Sequence, residues 1–374
     1  DCQIQFAALS RMQVQANGTV QLTWVAENSL STPYDEWLCY YERSPAGVWQ
    51  PLRKYHFNEF PGEGTDSRQV NFKFAPDGVL HATWMHRTAD YQWRLLYARR
   101  NTNGTWSNIE TIAESFGADW FKTWLYMPDL AIEPNGTVHF VWMARETVVP
   151  SANLFYRSRA SDGQWSPTGQ VTFYADQYNP PGFDISLDVD AYGTLHLIYE
   201  LEVSSNKKPF YYMRRTAGQW STSVGLGALG IANEVETQLD AQGNLHVTWV
   251  EDQQVRYART NRRSLNFTEF RLTEFPVYQI KLLVDGTGKL HFFEQGWEES
   301  LYVLVDAEGN KILQKSLPNL NYLGFAVGQK GDPYLFALDW TQHNQLLCIG
   351  PARVLQDSVW AMSQVISIPA DMET

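Results

Sequence analysis

The chain has 374 residues, of which 44% are hydrophobic and 14% aromatic, and its formal net charge at pH 7 is −12. An acidic chain without a long basic run does not suit nucleic acid or an anionic membrane surface, so we exclude both as partners. No apolar run in the sequence is long enough to span a membrane. Charged residues make up only 19% of the chain, which favours an all-β domain of the secreted type over a helical cytosolic one.

One short pattern recurs seven times along the chain. In its clearest copy, residues 240–249, a turn containing Gly243 precedes a strand in which Leu245, Val247 and Trp249 alternate with polar residues. The glycines that mark the copies are spaced 43 to 60 residues apart: Gly18, Gly78, Gly136, Gly193, Gly243, Gly288 and Gly331. Periods in this range are typical of propeller blades.

Each copy can be divided into four strands, A to D. Strand B follows the marker glycine, strand C is aromatic, and in the first four copies a Gly-x-Trp turn leads to strand D. The sequence therefore predicts an all-β fold, a seven-bladed β-propeller of four-stranded antiparallel blades. We expect one domain over residues 1–374, with blades near residues 10–54, 69–112, 128–172, 184–226, 234–273, 278–317 and 321–368.

The turn between strands C and D resembles a known family motif. Residues 156–166, Tyr-Arg-Ser-Arg-Ala-Ser-Asp-Gly-Gln-Trp-Ser, are similar to a degenerate Asp-box, the turn motif of sialidase-like (BNR-repeat) propellers, and residues 103–107 form a weaker copy. The resemblance covers four of the seven repeats and implies a blade architecture. It does not extend to the Arg-Ile-Pro segment or the arginine triad of sialidases, so it implies no sialidase activity.

Strand B carries a histidine in five copies: His81, His139, His196, His246 and His291. Equivalent residues of separate blades lie far apart, so we expect these histidines to be hydrogen-bonded between neighbouring blades rather than to share a ligand. The recurring Trp24, Trp84, Trp142 and Trp249 are expected to pack between blades. The sequence predicts no metal site and no cofactor, because its three cysteines lack metal-ligand spacing.

Two of those cysteines bear on how the first and last blades are joined. If residues 3–6 pair beside the last blade, Cys2 and Cys348 can form a disulfide that closes a very long loop. In the alternative, residues 359–368 form the outer strand of that blade and both thiols stay reduced.

The first four repeats are longer than the rest, and their extra residues lie in the B–C and D–A connections. In an up-and-down blade these connections emerge on the same face, and long loops grouped on one face of a scaffold usually carry function. They are rich in aromatic rings and carboxylates, which suit carbohydrate recognition. We therefore expect Trp120, Trp124 and Tyr178 to bind ligand, the alternative being that they pack the loops onto the blades.

The ends of the B strands carry a second set of candidates. Glu27, Arg87, Arg145 and Glu202 occupy one equivalent position and are expected to bind ligand, since two arginines can hold a carboxylated sugar. Glu202, His86 and Asp252 are the candidates for acid–base catalysis. The alternative is a set of solvated strand-end charges.

Two functions fit these patterns. One is an extracellular recognition propeller, lectin-like, that binds carbohydrate or a protein partner on the face bearing the long loops. The alternative is a glycan-cleaving enzyme, a glycoside hydrolase or polysaccharide lyase, that uses the charged rim of the same face. No catalytic motif stands out, which favours binding and leaves enzymatic activity open. Either function predicts a secreted or cell-surface protein with a glycan or extracellular protein as its partner.

Overall fold

The computed structural model describes most of the chain as β-strands. The described residues are 10–15, 17–28, 35–51, 53–56, 66–88, 92–114, 125–145, 152–174, 181–201, 208–226, 232–261, 268–271, 276–307, 309–317, 321–328, 331, 333–339, 345–349 and 364–366. No helix occurs within these ranges, and so none there is long and apolar enough to cross a membrane. The all-β prediction is confirmed.

The described strands form seven separate antiparallel sheets, each made of strands that are consecutive in the chain. Backbone contacts divide the chain into two compact units, one of Asp1–Phe60 with Lys281–Thr374 and the other of Pro61–Ile280.

The first unit contains three sheets. Sheet I is made of β1 (Ser10–Val14), β2 (Val20–Asn28), β3 (Asp35–Arg43) and β4 (Arg53–His56). Sheet VI, whose first strand begins at the boundary of the unit, is made of β22 (Gln279–Val284), β23 (Leu290–Gln295), β24 (Ser300–Val305) and β25 (Lys311–Leu317). Sheet VII is made of β26 (Asn321–Val327), β27 (Pro333–Asp339), β28 (Gln345–Ile349) and β29 (Gln364–Ile366).

The second unit contains four sheets. Sheet II is made of β5 (Asp66–Phe74), β6 (Leu80–Arg87), β7 (Trp93–Arg100) and β8 (Glu110–Glu114). Sheet III is made of β9 (Leu125–Ile132), β10 (Val138–Arg145), β11 (Ala152–Arg159) and β12 (Gly169–Gln170). Sheet IV is made of β13 (Pro181–Val189), β14 (Leu195–Leu201), β15 (Phe210–Thr216), β16 (Gln219–Trp220) and β17 (Val224–Leu226). Sheet V is made of β18 (Ala232–Leu239), β19 (Leu245–Glu251), β20 (Gln254–Thr260) and β21 (Thr268–Arg271).

The seven marker glycines lie in the turn between the first and second strands of the sheets. Each has a positive φ, between 77° and 87°, a conformation that glycine adopts without the steric cost of a Cβ. In the Gly243 turn, the Asp240 carboxylate accepts hydrogen bonds from the backbone N–H groups of Gln242 and Asn244. The repeated turn predicted from the sequence is confirmed.

The tryptophans of the second strands are buried where adjacent sheets pack together. Trp249 of sheet V contacts Ile198 and Phe210 of sheet IV within one apolar cluster, and Trp142 of sheet III lies with Leu95 and Tyr97 of sheet II in another. Burying side chains of this size against each other contributes most of the packing energy between sheets. The prediction that these two tryptophans pack between blades agrees with both clusters.

The strand-B histidines are hydrogen-bonded, but within one sheet rather than between sheets. In each of five sheets Nδ1 lies 2.7–2.9 Å from the hydroxyl of a tyrosine on the third strand: Tyr97, Tyr156, Tyr212, Tyr257 and Tyr302. In sheets V and VI the other ring nitrogen meets the turn carboxylate, that of Asp240 for His246 and that of Asp285 for His291. The prediction of bonds between blades was wrong because the marker turn brings its own acid within reach.

The last sheet has an outer strand from the C-terminal region. Residues 364–366 form β29, which pairs with β28, so the alternative in which this region supplies the outer strand agrees with the structure. Cys2 and the Cys348 side chain lie outside the described residues, and the disulfide stays a prediction. Cys39 is fully buried in β3.

Candidate functional site

The first strands of sheets II to V lie side by side and share a local irregularity. Each has a β-bulge in its pairing with the second strand, for example between Arg68 and Asn71 in β5 and between Asn233 and Glu236 in β18. Gln69 and Glu234, at the bulges of β5 and β18, both have a φ of 54°, which is uncommon for residues other than glycine. Bulges redirect side chains and are frequent beside active sites.

A polar network joins these first strands below the bulges. The carboxylate of Asp129 in β9 accepts hydrogen bonds from the Asn71 amide of β5 at 2.9 Å and from the Leu187 backbone N–H of β13 at 2.7 Å. Lys73 of β5 lies with its Nζ 3.3 Å from Asp129 and 2.7 Å from the Leu187 carbonyl oxygen. Asp188 of β13 lies 3.6 Å from the same Nζ. Since Asp129 and Lys73 are matched by partners, this network ties the sheets together.

The Asp188 end of the network reaches sheet V. The Thr237 hydroxyl of β18 donates to the Asp188 carboxylate, and the Ser186 and Thr237 hydroxyl oxygens are 2.7 Å apart. The first strands of sheets IV and V are therefore held in contact by the side chains of Ser186, Asp188 and Thr237.

A second polar group lies between sheets IV and V at the end where the second strands finish. Glu200 is 4% exposed and its Oε1 lies 3.5 Å from Lys208 Nζ. Glu200 pairs with Phe210, which packs against Trp249 of sheet V, so Glu200 lies on the face of sheet IV that covers sheet V.

Sheet V contributes a matching carboxylate from its opposing face. Glu251 is 1% exposed, and it lies two residues beyond Trp249 on the face that packs against sheet IV. Its Oε2 forms an ion pair with Arg256 Nε at 3.1 Å, and neither of its carboxylate oxygens accepts a hydrogen bond from any residue that the structure describes. We call Asp184, Glu200, Lys208, Glu234, Glu251 and Arg256 the sheet IV–V cluster, in which Glu234 takes part through its backbone N–H while its side chain is exposed.

Asp184, at the bulge of β13, has a carboxyl whose pKa is shifted by its surroundings. Burial raises the pKa of its carboxyl, and the nearby Glu236 carboxylate also raises it, while a hydrogen bond from the Glu234 backbone N–H and the charge of Lys208 act in the opposite direction. A carboxyl whose pKa is raised by burial beside other carboxylates is an arrangement that general acid–base catalysis uses.

The residues predicted from the sequence are distributed among several sheets. Trp120, Trp124, Tyr178 and Glu202 lie outside the described residues, and Glu27 and Arg145 lie in β2 and β10 with side chains that are not described. Buried His86 and half-buried Arg87 end β6 in sheet II.

Asp252 is exposed in the two-residue turn between β19 and β20, where it and Gln253 both have positive φ. It therefore serves as a turn residue, and the preceding residue, Glu251, is the buried carboxylate. Asp252 thus follows Glu251 of the sheet IV–V cluster in the sequence, whereas His86 and Arg87 belong to sheet II.

Sequence reasoning missed Asp184, Glu200 and Glu234. The signal was the alternation of acidic or hydroxyl side chains with apolar ones along two first strands, Asp184-Ile185-Ser186-Leu187-Asp188 and Glu234-Val235-Glu236. Across the described residues no group of three or more histidine, cysteine or acidic side chains is placed to hold a metal ion.

Comparisons with known proteins identify the fold. No family model matches the sequence, and no curated protein matches it either. The structure is similar to the α-L-arabinanase of Penicillium chrysogenum bound to arabinobiose, with a TM-score of 0.56 and 15% identity over 83% of this chain and 92% of that one.

Two further structures are similar over most of their length. A polysaccharide lyase, the PL25 ulvan lyase, has a TM-score of 0.54 and 11% identity over 82% of this chain and 80% of that one. The β-propeller domain of the trilobed protease of Pyrococcus furiosus has a TM-score of 0.51 and 9% identity over 92% and 94%. At these identities the similarity shows the fold alone, and the chain is a β-propeller.

Proposed function

We propose that this protein is a glycan-cleaving enzyme whose acid–base chemistry resides in the sheet IV–V cluster. The observation that carries the proposal is the half-buried Asp184 carboxyl at the bulge of β13, whose pKa is raised by burial as a general acid requires. Its fold is shared with an arabinanase and a polysaccharide lyase, and this supports the same function. At 15% and 11% identity the similarity extends to the fold only, so the proposed chemistry rests on the residues of the cluster.

Hydrolysis is the reaction that this cluster fits best. Cleavage of a glycosidic bond uses two carboxyl groups, one that protonates the leaving oxygen and one that acts on the anomeric carbon directly or through water. Asp184 is suited to donate the proton to the glycosidic oxygen as the C–O bond breaks. Glu200 and Glu251 are the buried carboxylates that can take the proton of the attacking water. Lys208 and Arg256 hold these two in place by ion pairs.

The residues predicted to bind ligand keep that role in the proposal. Glu27, Arg87, Arg145 and Glu202 each lie near the end of the second strand of their own sheet or directly after it. We propose that they contact the glycan with Trp120, Trp124 and Tyr178, and that the protein is secreted or displayed at the cell surface. Arg87→Ala and Arg145→Ala are then expected to weaken glycan binding and to leave the unfolding temperature nearly unchanged.

The proposal also includes the finer architecture. We propose that each of the seven antiparallel sheets is one blade and that residues 1–374 form a single domain. The four-strand meander of the sheets supports the blade count.

A recognition propeller without catalysis is the second candidate. It is favoured by Trp297, which is 74% exposed in the turn between β23 and β24, because an exposed indole suits stacking on a sugar ring. This candidate predicts glycan binding with no release of reducing ends.

The two functions are separated by one experiment on the full chain. The protein is incubated with a panel of plant and algal polysaccharides, and new reducing ends and 4,5-unsaturated products are measured. Asp184→Asn is expected to lower the rate at least about 100-fold, whereas Asp162→Asn, an exposed turn residue of sheet III, should leave it unchanged. Binding without any cleavage would favour the recognition propeller, and equal rates in both variants would remove Asp184 from the mechanism.

A further inference from the structure

Glu251 ends β19 with a buried carboxylate that lacks hydrogen-bond donors. The residue is 1% exposed, yet neither Oε1 nor Oε2 accepts a hydrogen bond from any residue that the structure describes. Leaving a buried acceptor without a donor costs free energy, and buried polar groups are as a rule satisfied by the protein or by bound water. The Glu251 carboxylate is therefore suited to a donor that the described residues do not supply.

The ion pair with Arg256 does not meet this need. Arg256 Nε lies 3.1 Å from Glu251 Oε2, but its N–H donates no hydrogen bond to any described residue either. The guanidinium thus stabilises the negative charge of Glu251, while the N–H and both carboxylate oxygens keep their hydrogen-bonding capacity. One donor beside two acceptors suits a water molecule, because water both donates and accepts hydrogen bonds.

Glu251 lies at the end of the interface between sheets IV and V. The next two residues, Asp252 and Gln253, form an exposed turn, which is fixed because the Val277 backbone N–H donates to the Gln253 carbonyl oxygen at 2.8 Å. The side chain of Arg256 is 36% exposed, whereas that of Glu251 is 2% exposed. The ion pair therefore connects the buried carboxylate to solvent.

The burial of Glu251 limits what its carboxylate can do in the cleavage of a glycan. A carboxylate acts on the anomeric carbon either by bonding to it or by removing a proton from an attacking water. The first route requires a sugar ring in contact with the carboxylate, and a side chain with 2% exposure offers no surface for a ring. The second route requires one water molecule, which the N–H of Arg256 and the oxygens of Glu251 can orient.

We propose that Glu251 is the general base of the hydrolysis and that the reaction inverts the configuration of the anomeric carbon. The inference rests on the proposed function, in which Glu200 and Glu251 are equal candidates for the base, and it adds the residue and the stereochemistry. The Glu251 carboxylate takes one proton of the water as the water oxygen bonds to the anomeric carbon. The bond from that carbon to the glycosidic oxygen breaks, and this oxygen takes the proton of the general acid, the role proposed for Asp184. A single displacement of this kind inverts the configuration.

The stereochemistry of the reaction tests the inference without any substitution. The full chain is incubated with arabinan, galactan, xylan, mannan, polygalacturonate and ulvan, and the first reducing ends released are assigned by proton NMR before they mutarotate. We expect the anomer opposite to that of the cleaved bond, and no methyl glycoside when methanol is added. Retained configuration or unsaturated products overturn the inference and leave a glycan-cleaving enzyme. Absence of cleavage with every polymer overturns the proposed function and the inference together.

Variants of the two glutamates identify the base. Glu251→Gln should lower kcat at least about 100-fold and leave KM nearly unchanged, because the base orients water and does not hold the sugar. If Glu251→Gln does not fold, Glu251→Asp, which keeps the charge, should show a loss of kcat in the same direction. Asp162→Asn is the control and should match the parent.

Azide separates a base from a residue that only supports the fold. Glu251→Ala with sodium azide should regain part of the rate and release a glycosyl azide, since the azide anion attacks without a base. A protein that had lost only packing at Glu251 would not be rescued in this way. Rescue in Glu200→Ala but not in Glu251→Ala contradicts the assignment and leaves the proposed function standing.

Discussion

The Asp184 carboxyl of sheet IV accepts a hydrogen bond from the backbone N–H of Glu234 in sheet V. Glu234 can present this N–H because the bulge of β18 holds it at a φ of 54°, which costs a residue with a Cβ of order 1 kcal/mol. Strain of this kind persists where the surrounding structure fixes it, and it is often found at functional sites. The bond thus connects an irregular backbone position to a carboxyl whose pKa is raised by burial.

The first prediction concerns the pH dependence of cleavage. A general acid must be protonated, so kcat/KM should be high below the Asp184 pKa and should fall as the pH rises through it. Because burial raises that pKa above its ordinary value of 3.8, the fall should lie on the alkaline side of the optimum. A pH profile measured with the active polysaccharide would show this limb, and Asp184→Asn should remove it with most of the rate.

Asp184→Asn should also change the stability in a way that tests whether burial raises the pKa of Asp184. A carboxyl whose pKa is raised by burial is destabilising when ionised, so its cost grows as the pH rises above 3.8. Asp184→Asn should therefore be at least as stable as the parent at pH 7, as measured by urea unfolding. A clear loss of stability would identify Asp184 as a structural ion-pair partner instead.

The second prediction concerns the network of first strands. Lys73→Met leaves the buried Asp129 carboxylate, whose side chain is 5% exposed, without its cation. Breaking a pair of this kind is costly, and since Lys73 is itself 21% exposed we expect a loss of about 2 kcal/mol in the free energy of unfolding. Urea denaturation measures it.

Lys311→Met provides the control for that prediction. Lys311 is exposed in β25, where it donates to the Gln314 side chain, and its replacement should change the unfolding free energy by less than about 0.5 kcal/mol. Equal effects of the two substitutions would show that the Lys73 network adds no stability.

The β-strands and turns of the sheets could be predicted from the sequence because short local patterns determine them. Turn glycines such as Gly243 and alternating strands such as residues 245–249 are visible within ten residues, and each recurs. The sequence alone therefore predicts the packing role of Trp249 and the turn role of Gly331.

The candidate site was predicted poorly because it depends on which faces of two sheets meet. Glu200 and Glu251 are buried because Ile198, Phe210 and Trp249 pack sheets IV and V together. No local sequence pattern indicates which faces of the two sheets pack together. Asp252, the acid–base candidate predicted from the sequence, lies exposed in a turn, whereas the preceding Glu251 is buried in the interface. The bulge at Glu234 has no sequence signature.

The third prediction concerns stability in acid. Burial lowers the pKa of His81 to about 4, and it also lowers the pKa values of His246 and His291. A histidine that is neutral in the folded protein and titrates near 6.5 when unfolded adds stability above that value, and this stability is lost as the pH falls from 6.5 towards 4. Thermal unfolding should therefore show a steep drop in melting temperature in this range.

Replacement of one histidine tests the cause of that drop. His81→Gln removes the histidine whose pKa burial lowers to about 4, and should flatten the pH dependence between 6.5 and 4 by up to about 3 kcal/mol. At pH 7.5 the variant should be less stable than the parent, because Tyr97 loses its partner of 2.8 Å. An unchanged pH dependence would mean that His81 is not a source of the acid lability.

The fourth prediction compares two glycines with nearly the same backbone conformation. Gly331 has a φ of 79° and Gly288 a φ of 83°, but a Cβ added at Gly331 would lie 2.8 Å from the Asp285 Oδ2, whereas one added at Gly288 would meet no atom within 4 Å. Gly288→Ala should therefore show only the cost of a positive φ, about 1–2 kcal/mol. Gly331→Ala should lose at least about 1 kcal/mol more, because Asp285 also binds His291 and three groups of its own turn.

Urea unfolding of both variants measures that difference. Gly169→Ala, where a Cβ meets nothing and no positive φ is required, serves as the reference and should be neutral or slightly stabilising. Because Asp285 would have to move away from the His291 ring, the Gly331→Ala protein should also show a changed His291 titration by NMR. Equal destabilisation in Gly288→Ala and Gly331→Ala, with the His291 signal unchanged, would show that Asp285 can move aside without cost and that the two sheets are not closely fitted at this point.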